Sequence, residues 1–227
     1  MTKHPLQSGF SLIEIAIVLV VVGVLLGGII TPMASQHQQK KIKEAETQLE
    51  DIYRALLGFA ILNGRLPCPA TTASNGLAAP NGATTNCTQE HGFIPGNTLG
   101  FDALQNANSI TTDPWGNPIR YSLTNFDSGA FSDQITVNQS SGDYTVCQTS
   151  ACAAGEVITD NATAIICSLG KNGAQPINSQ NQRENTDADI RFVRAEFSEA
   201  AGSEFDDICR WISPNVLALE LSRVGKL

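Results

Sequence analysis

A chain of 227 residues with a formal net charge of −8 fits one segment of special character plus one domain of ordinary size. The acidic balance makes it a poor electrostatic partner for nucleic acid or anionic lipid, so no nucleic-acid partner is expected. No phosphate-binding loop, dinucleotide fingerprint or zinc-hydrolase motif is present, and no serine sits in G-x-S-x-G. Of the histidines, only His91 lies well inside the later region, so no catalytic residue is assigned.

In chain order, residues 1–9 are polar and carry Lys3. Residues 10–30 follow with a single ionisable side chain, Glu14, and as a helix they are long enough to span a hydrocarbon core. A carboxylate inside such a span costs roughly 2.5–3.5 kcal/mol at the bilayer centre and less near an interface, so it calls for a neutralising partner. An ordinary signal peptide would carry a small-x-small cleavage site after the apolar run and no buried acid. Lys40, Lys41 and Lys43 outnumber the positive charge before the run, so charge alone does not orient it.

Thr31-Pro32 predicts a kink or a melted turn just beyond the apolar segment. Helical spacing then resumes: Ile42, Ala45, Leu49, Ile52, Leu56 and Phe59 fall on one face, with Lys43, Glu46 and Glu50 on the solvent side. Asn63-Gly64 ends the helix, and Pro67 and Pro69 prevent its return. Residues 31–63 therefore form the amphipathic half of one long helix.

Residues 64–227 read as a globular domain. Residues 64–96 are loop, with one short helical turn. Strands are expected over residues 118–123, 134–137, 144–147 and 164–168, with antiparallel hairpin character. Near the end, Ser213 is an N-cap, Pro214 takes the first helical position and Gly225 follows the last turn, with Leu217, Leu221 and Val224 on one face. All six cysteines, Cys68, Cys87, Cys147, Cys152, Cys167 and Cys209, lie beyond the apolar segment and are disulfide candidates in an oxidising compartment. Cys147 with Cys152 would close a small loop and Cys68 with Cys87 another, leaving Cys167 with Cys209; six cysteines allow many other pairings. Zinc is disfavoured, because there is no C-x-x-C and the histidines are scattered.

The hexapeptide Gly9-Phe10-Ser11-Leu12-Ile13-Glu14 resembles the processing signal of type IV pilins and type II secretion pseudopilins. Further patterns recur in the order of the major pseudopilins. They are Gly64-Arg65-Leu66-Pro67, Asp113-Pro114-Trp115-Gly116-Asn117-Pro118-Ile119-Arg120-Tyr121, Ser168-Leu169-Gly170-Lys171-Asn172-Gly173 and Asp187-Ala188-Asp189-Ile190. In the second, Pro and Gly set a turn and Trp115 supplies an apolar anchor.

The resemblance implies an α+β, pilin-like fold: a long N-terminal helix packed on a small antiparallel sheet, with a C-terminal helix. It implies cleavage after Gly9 by prepilin peptidase, methylation of Phe10, and pairing of Glu14 with a neighbouring subunit's terminal amine. Residues 1–9 are then a cytoplasmic leader, residues 10–30 a single inner-membrane span and later a filament core, and residues 64–227 a periplasmic domain. The implied partners are identical or related subunits and an inner-membrane assembly platform, in a type II secretion pseudopilus or a type IV pilus.

For the acidic loop the resemblance implies a structural calcium at Asp187 and Asp189, with carbonyls of the preceding loop as co-ligands. A solvated acidic loop is the competing reading. Nothing in the sequence places Asn185, Asp206 or Asp207 at such a site. The segment over residues 122–163, the cysteines and the extension beyond Asp189 depart from the major pseudopilin pattern. A minor pilin at a filament tip, acting as an adhesin or ligand-binding module, is the alternative.

Overall fold

The structure, a computed structural model, describes residues 11–82, 87–101, 104–124, 142–175 and 177–226, leaving aside the side chains of residues 25–35. Gly9, Phe10 and the strand expected over residues 134–137 lie outside these. The chain forms two units, Met1–Lys41 and Ile42–Leu227.

Helix α1 covers Leu12–Asn63 and continues through Thr31-Pro32, so no melted turn interrupts it. One proline removes a single hydrogen bond, and the turns on either side keep theirs. The helix stops where predicted: Gly64 takes φ +70° and its N–H donates to the Ala60 carbonyl at 2.7 Å.

In the second unit the elements after α1 are β1 (His91–Phe93), α2 (Gly96–Leu99), β2 (Arg120–Leu123), β3 (Tyr144–Cys147) and β4 (Val157–Ala162). They are followed by β5 (Ala164–Ser168), α3 (Gln180–Glu184), β6 (Arg191–Val193), β7 (Ile208–Ile212) and α4 (Pro214–Arg223). An antiparallel sheet has the order β1-β2-β5-β7, and a smaller one the order β4-β3-β6. Its β3–β6 pair is parallel, a long-range pairing that the expected hairpin character did not include.

Two cores follow from the two faces of β5, all of whose residues are buried. On one face Ala164 and Ile166, with Tyr121 and Leu123 of β2, pack on Leu49, Ile52, Leu56 and Ala60 of α1 and on Leu217 and Leu221 of α4. On the other face Ile165 and Cys167 meet Tyr144, Val146 and Phe192 of the small sheet. The larger sheet is thus covered by helices on one side and by a second sheet on the other.

Ser213 caps α4 as expected, accepting from the Asn215 N–H at 3.3 Å. Val224 is half exposed rather than on the buried stripe, because α4 ends at Arg223. Glu50, expected in solvent, is half-buried between Arg54 and Arg210, because β7 brings Arg210 against α1.

The structure pairs Cys68 with Cys87, Cys147 with Cys152 and Cys167 with Cys209. The last joins directly paired positions of β5 and β7.

Candidate functional site

The first unit presents the sequence-predicted assembly residues. Ser11 begins the helix: its carbonyl accepts from the N–H groups of Glu14 and Ile15 at 3.0 and 3.2 Å. Glu14 is exposed in the first turn of α1. Around it Leu12, Ile13, Ile15 and Ile17 are between 50 and 91 % exposed, and the apolar surface continues through Val24. This is an apolar helix surface with one carboxylate near its start, and burial of such a surface drives association. Among the described residues no helix is long and apolar enough to cross a membrane; the apolar stretch is described with side chains only over residues 11–24.

In the second unit the sequence motifs converge. Asp113 accepts from the backbone N–H of Trp115 at 3.0 Å and of Asn117 at 2.8 Å, which closes its own turn. Its other oxygen accepts from the Ser168 hydroxyl at 2.7 Å, and the Asn117 amide donates to the Gly170 carbonyl. The anchor of this motif is therefore the buried Asp113, while Trp115 is only half-buried. Burial pushes the Asp113 carboxyl up, and its hydrogen bonds act in the opposite sense.

After Ser168 the chain turns at Gly170, φ +63°, where a Cβ would lie 2.4 Å from the Asp206 carbonyl oxygen. Only glycine fits both constraints. Beyond it lies a polar network whose members are too far apart along the chain to be grouped by any local pattern. Asn172 and Gln182 pair through their side-chain amides at 3.0 and 3.1 Å, and Gln182 Nε2 donates to Asp206 at 2.6 Å. The Asn172 N–H donates to the other Asp206 oxygen at 3.1 Å. Asn185 Nδ2 donates to Asp207 at 2.8 Å, and its side chain also clasps the Val193 backbone. Gln182 and Asn185 are buried, although glutamine and asparagine in a short polar helix ordinarily face solvent. Burial raises the Asp207 carboxyl to about 7.

Asp187 and Asp189 lie in the turn between α3 and β6. Asp187 is exposed; Arg120, Arg191 and His91 act on it electrostatically. Asp189 accepts from the Arg191 N–H at 2.7 Å, and its other oxygen lies 3.7 Å from the Arg191 guanidinium. Arg191 also reaches Glu184 at 3.3 Å, a charge contact rather than an aligned hydrogen bond. Among the described residues no group of three or more His, Cys, Asp or Glu side chains is placed to hold a metal. His91 is half-buried, with Tyr144 and Phe192 at ring-centroid distances of 5.7 and 6.3 Å and Nδ1 2.9 Å from the Ser122 hydroxyl.

Comparison with known proteins matches residues 5–30 to the prokaryotic N-terminal methylation motif. The type II secretion system core protein G of Pseudomonas aeruginosa is 30 % identical over 115 residues, covering 51 % of this chain and 72 % of that protein. The core protein G of Aeromonas hydrophila is 25 % identical over 112 residues, covering 49 % and 70 % respectively. No solved structure matches the chain.

Proposed function

The chain belongs to the family of type II secretion system core protein G, the major pseudopilins, and from that premise we propose how this subunit is processed and assembled. It is a structural subunit of a pilus-like filament. Prepilin peptidase cleaves after Gly9, releasing residues 1–9, and the new amino group of Phe10 is methylated. Before assembly residues 10–30 hold the subunit in the inner membrane, with residues 64–227 in the periplasm. An assembly platform then draws the helix out of lipid and into a bundle with identical or related subunits.

The observation that carries this reading is the exposed apolar surface of α1 with Glu14 in its first turn. Packing such helices together keeps isoleucine, leucine and valine side chains out of water once the helix has left lipid, where exposing each would cost about 1.5–3 kcal/mol. A bundle that buries Glu14 without a partner would be strongly disfavoured, because a lone buried charge is costly. The terminal amine of a neighbouring Phe10 supplies the opposite charge, so Glu14 selects the register in which the subunits pack.

Glu14→Ala tests the assignment. The variant is expected to insert in the membrane as the wild type does and to be lost from filaments sheared and counted by immunoblot. Normal incorporation would remove the register role.

A further inference from the structure

The calcium expected at Asp187 and Asp189 meets a donor set that is in part already in use. Calcium takes six to eight oxygen ligands, drawn from carboxylates and carbonyls. Around this turn three of the carbonyls face protein donors instead. The Arg183 carbonyl accepts from the N–H groups of Thr186 and Asp187 and from the Thr186 hydroxyl, at 2.9 to 3.0 Å. The Ile177 carbonyl accepts from Arg183 Nε at 3.1 Å and the Thr186 carbonyl from Arg120 at 3.3 Å. Of the carboxylates, Glu184 and Asp189 flank the Arg191 guanidinium, while Asp187 is exposed. A divalent cation placed beside Asp189 would have to displace or repel that guanidinium.

We infer that in this chain the turn between α3 and β6 is held by Arg191 in place of a cation. Arg191, itself exposed, sets the chain's own positive charge against Glu184 and Asp189. Asn185 fastens the end of α3 both to the Val193 backbone and to Asp207, so the turn is tied at each end by protein hydrogen bonds. Arginine suits this position because its planar, permanently charged fork can serve two carboxylates at once. The turn would then keep its shape at any calcium concentration.

The test is thermal unfolding of the full chain in detergent, in calcium chloride and in chelator, with calcium titrated calorimetrically in parallel. The wild type is expected to melt at the same temperature in both and to give no binding isotherm. Arg191→Ala is expected to lower the melting temperature by a few degrees, and Arg191→Gln, which keeps most of the side-chain volume, to do the same. A calcium-dependent rise in the wild type that is abolished when Asp187→Asn and Asp189→Asn are combined would overturn the inference. So would both Arg191 variants melting as the wild type does.

Discussion

Ser168 donates its hydroxyl hydrogen to Asp113 at 2.7 Å, joining two motifs 55 residues apart in the chain. Both residues are buried, so neither has water to fall back on. The bond locks the turn before β2 to the end of β5, and the donation from Asn117 to Gly170 repeats the link one layer on. Two local patterns that look independent along the chain therefore act as one clasp.

Breaking that clasp should be measurable. Ser168→Ala leaves the Asp113 oxygen without its hydroxyl donor, and an unsatisfied buried acceptor costs about 1–3 kcal/mol, more if charged. Chemical denaturation of the variant should show a lowered midpoint at unchanged slope. A midpoint equal to that of the wild type would mean that the bond contributes nothing net.

The buried Asp207 predicts a pH dependence of stability. Its carboxyl is raised by burial from 3.8 to about 7 in the folded chain, so between those values the folded state holds the proton more tightly than the unfolded state. Its stabilising contribution is complete below about pH 4 and is lost as pH rises towards 7. His91 acts oppositely: burial lowers its pKa, so its contribution is lost as pH falls below about 6.5. The difference between wild type and Asp207→Asn isolates the first effect. The asparagine variant should gain stability relative to wild type as pH rises from about 4 to 7. A difference that stays constant over that range would contradict the assignment.

The disulfides should differ in weight. Cys167 and Cys209 are 42 residues apart, whereas Cys147 and Cys152 are separated by only 5. In the chain-entropy account a longer closed loop restricts the unfolded state more, giving about 4 kcal/mol for the first and roughly 2 for the second. Paired serine substitutions, compared by guanidinium midpoint, should rank in that order. Equal shifts would show that native-state effects outweigh loop closure.

The readable parts of this fold are those where local chemistry and tertiary context agree. The end of α1 at Gly64, the cap of α4 at Ser213 and the buried strand β5 each carry their own signal of turn, cap or β-branched run. Strands β1 and β6 have three residues each, too few to show a period, and β4 is largely exposed and polar. The parallel pairing of β3 with β6 depends on where the intervening chain returns, which no local pattern records.

The candidate site divides in the same way. The Gly9 to Glu14 hexapeptide is a contiguous motif and was legible as such. Gln182 and Asn185 look like surface amides in sequence and become buried only because Asp206 and Asp207 arrive at the start of β7. Trp115 drew attention as the largest residue of its motif, yet Asp113 carries the hydrogen bonds, since small buried carboxylates leave no hydrophobic trace. Along the chain the acidic turn shows only its carboxylates and the carbonyls before them. Its arginines, one of them 67 residues away from Asp187 on β2, enter only with the fold.

Whether this subunit is made assembly-competent at its N-terminus is decided by its intact mass. The chain would be extracted from membranes with and without co-expressed prepilin peptidase. With the peptidase, the expected mass lacks residues 1–9 and carries one added methyl group on Phe10; without it, the full-length mass is expected. A chain left uncut by the peptidase, or cut beyond the apolar run, would contradict processing after Gly9.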